Sequence, residues 1–320
     1  MSRRERARRS RRVRRRIFVA AALALLGFLS IAVARPEWFL AGEYARLRWL
    51  GGAQTSSETA ADHQWSTLRA GAGSRMVLVH GFTGSKENWL PVFAELSKHH
   101  QVIAPDLPGW GASERKPGQD YGFSAQAERL ATWLRQQPEG EVPLTLVGHS
   151  MGGGVAALVA ARYPELVAKL VLVDAAGVRF DDNDFSRAVA RGEHPFEVFD
   201  RSSLDRQLGL VFKHPPWLPW PADRAFIARR IADEPFEREV LERIARRDEA
   251  LQPGIEAISI RAPTLLLWCR EDRIVDVSAA RRYAGRIANT RTLLLDDCNH
   301  MPMMEVPAET AAAIREFVGD

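Results

Sequence analysis

The segment Gly148-His149-Ser150-Met151-Gly152 carries the clearest chemistry in this 320-residue chain. It lies between a strand-like apolar run, Leu144-Thr145-Leu146-Val147, and a small-residue helical run from Gly153 to Arg162. That strand–turn–helix setting is what turns a G-x-S-x-G match into a nucleophile elbow. A serine on so sharp a turn has a strained backbone and an exposed hydroxyl. Glycines two residues to either side avoid a Cβ clash with the neighbouring strand and helix. Ser150 is the candidate nucleophile, with Gly148 and Gly152 as the structural glycines of the elbow.

A serine hydroxyl alone is a weak nucleophile and needs a base that is itself oriented by a third group. The apolar run Thr264–Trp268 ends in Cys269-Arg270-Glu271-Asp272, and Thr292–Leu295 ends in Asp296-Asp297-Cys298-Asn299-His300. An acid after one strand and a histidine after the next give the chain order Ser, Asp, His. His300 would take the serine proton, and Asp272 would orient the imidazole. Asp276 is the rival acid, set further from the strand end, while Asp296 and Asp297 read as caps of the strand exit. Upstream, Met76–Val79 runs into His80-Gly81-Phe82-Thr83-Gly84, a turn able to aim a backbone N–H at a developing oxyanion. Phe82 is the first expected donor and the Met151 amide the second. Of the other histidines, His149 and His80 read as structural, and His63, His99, His100, His194 and His214 as surface or loop residues. Metal-ligand and phosphate-cradle motifs are missing, so no cofactor and no metal are expected.

These groups must be positioned by an alternation of strands and helices. Strands are expected at 64–69, 75–80, 101–105, 144–148, 169–174, 264–269 and 292–296, with helices near 86–99, 124–137, 152–163, 278–287 and 307–318. Such alternation predicts an α/β fold, a mostly parallel sheet with helices on both faces. Ligands bind beyond the carboxyl ends of such strands, where all three candidate residues fall. About 90 residues separate the last two strand candidates of the middle region, too many for one crossover, so residues 178–258 are expected to form a cap. Phe180, Phe185, Phe196, Phe199, Phe212, Trp217, Trp220 and Phe226 lie there. They could line a tunnel mouth, dip into a bilayer or fill the cap's own core. The proline-rich run 214–221 cannot be helical. Gly109 and Gly111 read as loop structure and Lys86 as a surface helix residue.

Residues 1–16 hold ten Arg and one Glu, whereas the whole chain has a net charge of only +4, so the remainder is acidic. The basic character therefore belongs to the tail, and no nucleic-acid partner is expected. Ile17–Ala34 contains eighteen uncharged residues, long enough to cross a ~30 Å hydrocarbon core when interfacial groups flank it. The positive tail places the N-terminus in the cytoplasm and the catalytic domain outside it. Cleavage after Ala34 as a signal peptide is the alternative, because Ala32-Val33-Ala34 is an A-x-A site. The expected organisation is a cytoplasmic tail 1–16, a transmembrane signal-anchor 17–34, a juxtamembrane segment and linker 35–63, and a domain 64–320. Glu37–Leu50 has helical apolar spacing and could lie on the interface or pack on the domain; Gly51–His63 reads as linker. With 39 Arg against five Lys the chain hints at a bacterial source and a periplasmic domain. The oligomeric state is open.

The segments HGFTGSKENW, DLPGWGAS, GHSMGG, APTLLLWCREDRIVDVS and CNHMPMMEVP resemble the α/β-hydrolase superfamily. Within it, they are most similar to membrane-anchored monoacylglycerol lipases of the abhydrolase-domain type. The likeness runs from about residue 64 to the C-terminus. It implies an α/β-hydrolase fold with a helical cap and an N-terminal membrane helix. It also implies a serine hydrolase cleaving carboxylic esters, foremost monoacylglycerols or similar lipid esters, through an acyl-enzyme. Small-ester carboxylesterases and C–C hydrolases of ring-cleavage products share the same triad. A dehalogenase or epoxide hydrolase would need Asp where Ser150 stands, and a non-enzymatic binding module would be expected to lack a triad member. Cys269 and Asn299 depart from the family, which usually has Gly at both places. Asn299 is tolerated if the backbone is left-handed there. Cys269 and Cys298 end neighbouring strand candidates, so a disulfide between them is a hypothesis.

Overall fold

The computed structural model describes residues 3–138 and 142–319, with side chains from residue 12 onward. Two helices come first, α1 (Arg3–Ala34) and α2 (Glu37–Leu50), followed by β1 (Gln54–Ala60), β2 (His63–Ala70) and β3 (Ser74–Val79). The next elements are α3 (Leu90–Leu96), β4 (His100–Pro105), α4 (Phe123–Gln136), β5 (Leu144–His149), α5 (Met151–Arg162) and β6 (Val167–Val173). Five helices then cover the expected cap: α6 (Asp184–Ala190), α7 (Arg201–Val211), α8 (Ala222–Ala245), α9 (Arg247–Ala250) and α10 (Gln252–Glu256). The chain closes with β7 (Thr264–Cys269), α11 (Ser278–Ala284), β8 (Thr290–Leu295), α12 (Pro302–Glu305) and α13 (Pro307–Val318).

One eight-stranded sheet runs in the order β1-β2-β4-β3-β5-β6-β7-β8. The β1–β2 and β2–β4 pairs are antiparallel, and every later pair is parallel. All residues of β5 and β7 are buried, as expected of near-continuous apolar strands covered on both faces. Small residues let α5 lie flat on the sheet: Met151 through Ala161 are all buried. Trp65 and Trp133 stack with centroids 5.4 Å apart, tying β2 to α4.

Three expectations fail in instructive ways. Residues 54–60, expected as linker, form β1, paired along its whole length from Gln54–Arg69 to Ala60–His63. The connecting Ala61 and Asp62 both have positive φ, 46° and 64°, the geometry of a tight two-residue hairpin turn. His63 and His100, expected at the surface, are buried in β2 and β4, where His63 Nδ1 meets the Ala61 carbonyl and His100 Nδ1 meets Ser74 Oγ. Lys86, expected as an exposed helix residue, is buried, and its ammonium donates to Asp106 at 2.6 Å. Asp106 also accepts from the Lys86 and Ala112 amides, at 2.7 and 2.8 Å. This ion pair fastens the loop after β4, with its Gly109 and Gly111, to the turn after β3.

Before the domain, Arg12–Ala34 of α1 forms the one helix among the described residues long and apolar enough to cross a membrane. At 1.5 Å per residue those 23 residues reach about 35 Å. α2 packs against α8 of the cap and against α3, so the segment after the apolar helix is docked on the domain.

Replacing Lys86 by Met removes one partner of a dry ion pair and leaves the Asp106 carboxylate buried. Such a loss costs about 3 kcal/mol or more. Urea unfolding of the full chain in detergent should show that fall; a change below about 1 kcal/mol would mean the pair is dispensable.

Candidate active site

β5 turns directly into α5 at Ser150, whose φ of 53° and ψ of −120° place a non-glycine residue in strained territory. Hydrogen bonds hold it there. The Ser150 amide donates to the Val173 carbonyl at 3.0 Å, and its carbonyl accepts from Gly153, Gly154 and Ala176. A Cβ added at Gly148 would lie 2.3 Å from the Gly152 carbonyl oxygen, and one at Gly152 would lie 2.3 Å from that of His80. Neither separation is possible, so both flanking positions demand glycine.

The loops after β7 and β8 bring the other two residues to this serine. His300 Nε2 lies 2.9 Å from Ser150 Oγ, and His300 Nδ1 lies 2.8 Å from Asp272 Oδ2. The second oxygen of Asp272 accepts from the Ile274 and Val275 amides at 2.8 and 3.0 Å. Asp276 instead accepts from the Ser278 amide at the start of α11. Asp296 and Asp297, expected as strand caps, turn outward. Asp296 pairs with Arg270, and Asp297 pairs with Lys213 and His214 of the cap.

Burial decides the protonation of the dyad. It lowers the His300 pKa from its ordinary 6.5 to about 3, so the resting imidazole is neutral and able to accept a proton. Burial also pushes Asp272 upward, against the pull of the Ile274 and Val275 amides. Beneath the pair, Asp174 accepts from the Cys269 amide at 2.8 Å. Burial, with the Asp272 charge added, pushes its pKa well above the carboxylate range. Ligand atoms of Asp174, His149 and His300 lie within 4.8 Å of one another. Both His300 nitrogens are already committed to Ser150 and Asp272, which leaves His300 no free ligand atom for a metal.

The turn after β3 runs against Ser150: a Cβ on Gly81 would lie 2.9 Å from Ser150 Cβ. Its next residue, Phe82, has no acceptor for its amide among the described residues. Met151 opens α5, where the first amides of a helix have no intrahelical acceptor. Two N–H groups are therefore free beside Ser150. The turn is anchored by His80, whose Nε2 accepts from the Leu107 amide at 3.0 Å.

Several supports were not legible from the sequence. Asn299, whose tolerance of a left-handed backbone would make its replacement of glycine mild, lacks a positive φ. It is a hydrogen-bond hub instead. Its Oδ1 accepts from the Arg273 amide at 2.8 Å, its Nδ2 donates to the Leu210 carbonyl at 2.7 Å, and its amide donates to Glu305 at 2.9 Å. His149 Nε2 donates to the His300 carbonyl at 2.7 Å, a bond between the elbow and the histidine loop. The disulfide hypothesised from the sequence is present: Cys269 and Cys298 are bonded with Cα atoms 5.5 Å apart, joining the two loops that carry Asp272 and His300.

Above this constellation lies a cavity of about 600 Å³, walled mainly by apolar side chains and reaching Ser150 and His300. Of the cap aromatics, Phe180, Phe185, Phe196, Phe212, Trp217 and Phe226 line it. Phe196 and Phe212 also pack into the core, whereas Phe199 and Trp220 are exposed and Trp217 is 83 % exposed at the rim. The cap thus uses some aromatics for its own packing and others for the wall. Leu40, Glu43 and Tyr44 of α2 complete the lining.

Residues 75–307 match the model of the alpha/beta hydrolase fold. The chain belongs to that family. It is 31% identical over 248 residues to Lipase 1 of Psychrobacter immobilis, covering 77% of each protein. Monoacylglycerol lipase ABHD6 of Bos taurus is 27% identical over 308 residues, covering 93% of this chain and 91% of that one. Among solved structures, a membrane phospholipase A described as a bacterial virulence factor superposes with a TM-score of 0.85 at 32% identity, over 95% of this chain and 98% of its own. A meta-cleavage product hydrolase shares the fold, with a TM-score of 0.65 at 24% identity, over 82% of this chain and 97% of its own. This hydrolase is a carboxylic ester hydrolase of the lipase and esterase type.

Removing the disulfide should loosen these two loops. A cross-link enclosing a separation of 29 residues contributes about 3.6 kcal/mol in the chain-entropy picture. Cys269→Ala/Cys298→Ala should lower urea-unfolding stability by about that amount. An unchanged midpoint would show that the loops are held without it.

Proposed function

We propose that this hydrolase cleaves lipid esters, monoacylglycerols foremost, through an acyl-enzyme formed on Ser150. The reading is carried by the continuous chain from Ser150 Oγ through His300 to Asp272, 2.9 and 2.8 Å apart, at the floor of an apolar cavity. His300 takes the Ser150 proton as Oγ attacks the acyl carbonyl. The negative charge then forming on the carbonyl oxygen is met by the Phe82 and Met151 amides. Asp272 holds the imidazole by its Nδ1–H and offsets the charge of the transient imidazolium. His300 next gives the proton to the leaving alcohol oxygen, and the ester C–O bond breaks. Water, deprotonated by His300 in turn, attacks the acyl-enzyme and releases the acid.

The lipid substrate is supported by the apolar lining and by the lipases and monoacylglycerol lipases among the relatives. The C–C hydrolase alternative has support from fold likeness alone. In the same reading, 17–34 is a single-pass anchor. It keeps the arginine tail (1–16) in the cytoplasm and the hydrolase domain outside, periplasmic in a bacterium. The apolar helix and the relation to a membrane phospholipase support membrane association. N-terminal sequencing of the mature protein tests the anchor: a start at Arg35 would show cleavage after Ala34 instead.

Ser150→Ala should lower kcat on 1-monoacylglycerol by about 10⁶-fold with the fold intact, and Asp272→Asn by about 10⁴-fold. Retained turnover in the Ser150 variant would refute the nucleophile. The base works only when neutral, and burial moves the His300 pKa below 6.5. Its active form therefore persists as pH falls, and the acid limb of kcat/KM should lie well below pH 6.5. A pH-stat profile with an acid limb at or above 6.5 would contradict the buried-base assignment.

A further inference from the structure

We infer that Gln207 is a specificity-determining residue whose side-chain carboxamide holds a hydroxyl of the ester's alcohol half. The inference rests on the ester-hydrolase reading above and names what the cavity selects. Gln207 is only 7 % exposed, and its Oε1 is enclosed without a hydrogen-bond partner among the described residues. A buried amide oxygen left unpaired is costly to the fold. Gln207 is also one of the residues that line the cavity together with Ser150 and His300. Asn88, also in that wall, is already occupied: its Oδ1 accepts from the Ser85 amide and its Nδ2 approaches Met304 Sδ.

Helix α7 fixes where that oxygen sits relative to the chemistry. The His300 amide donates to the Val211 carbonyl at 3.1 Å, and Asn299 Nδ2 donates to the Leu210 carbonyl. The last turn of α7 is thus latched to the histidine loop. Gln207 stands four residues before Val211, on the same face and about 6 Å along the axis. The acyl oxygen must face Phe82 and Met151, because the free amides are there. The alcohol oxygen must face His300, which protonates it as it leaves. The alcohol half therefore lies on the histidine side, under α7. A glycerol hydroxyl donates to Gln207 Oε1 and can accept from its Nε2. A methyl group in that place leaves Oε1 unpaired, and sites built to bond a hydroxyl discriminate against analogues lacking it.

The test compares 1-monoacylglycerol with the methyl ester of the same fatty acid, using the full chain in detergent. Wild type should prefer the monoacylglycerol. In Gln207→Met, similar in volume and unable to accept, the ratio of the two kcat/KM values should fall about tenfold, mainly through KM for the monoacylglycerol. Gln207→Asn, shorter but still an amide, should fall between them, and it decides the matter if the Met variant does not fold. Equal losses on both substrates, or an unchanged ratio, would overturn the assignment and leave the lipase reading intact. Wild-type hydrolysis of the methyl ester with none of the monoacylglycerol would overturn the substrate reading and the Gln207 assignment together.

Discussion

The site depends on one constraint: a non-glycine residue held at positive φ where a buried strand becomes a buried helix. A backbone of this kind costs on the order of 1–3 kcal/mol and survives only where its surroundings over-determine it. Here the surroundings are the bonds from Ser150 to Val173, Gly153, Gly154 and Ala176. Glycines at 148 and 152 let α5 descend onto the sheet, and the run of small buried residues in α5 keeps it there. Because β5 to β8 are all parallel, their carboxyl ends lie on one side of the sheet. The same geometry that raises Ser150 therefore brings the loops bearing Asp272 and His300 within reach of it.

Burying this much polarity requires each charged group to be answered locally. Asp272 receives three N–H groups, from Ile274, Val275 and His300. Asp106 receives Lys86 and two amides, and Arg230 is paired with Glu237 in the cap at 2.7 Å. The same dryness that makes those partners necessary keeps His300 neutral. A neutral imidazole within hydrogen-bond reach of a hydroxyl is able to accept its proton, and the Asp272 carboxyl lies against its other nitrogen. Binding and support share structure as well. Asn299 ties the loop after β7, the end of α7 and Glu305 to the residue preceding His300.

The parts of the molecule legible in the sequence are those specified by short-range pattern. β5 and β7 are continuous apolar runs, and the elbow is a local turn problem whose glycines are obligatory. Their positions and those of the helices around the sheet follow from that pattern. β1 was invisible because its side chains are mostly exposed and polar, so no apolar period marks it. Its turn uses Ala61 and Asp62 rather than the Asn-Gly or Asp-Gly pairs that advertise such hairpins. The burial of Lys86 is invisible in the sequence for a different reason: its partner, Asp106, is 20 residues away and meets it only in the folded chain. Asn299 shows the same limit. Its identity is set by three bonds to distant segments, none of which a departure from glycine could reveal.

The helix after the apolar segment links anchoring to catalysis in a way that composition alone leaves open. Only Arg35 and Pro36 separate α1 from α2, and Phe28 meets Phe39 across that junction at 5.4 Å. α2 in turn packs on α8 and gives Leu40, Glu43 and Tyr44 to the cavity wall. Trp38, Trp49 and Leu50 of the same helix remain exposed, as does Trp217 on the cap loop at the rim. An anchor joined to the domain by a long flexible linker would leave the mouth of the cavity free to face anywhere. One that continues through two residues into the cavity wall does not. The α2 side of the cavity wall keeps a fixed relation to the end of the apolar helix, and the exposed Trp38 and Trp49 of α2 and Trp217 of the cap are side chains of the kind that favour membrane–water boundaries. The apolar helix, α2 and the cap helix α8 thus form one connected run of structure that ends in the apolar wall of the cavity.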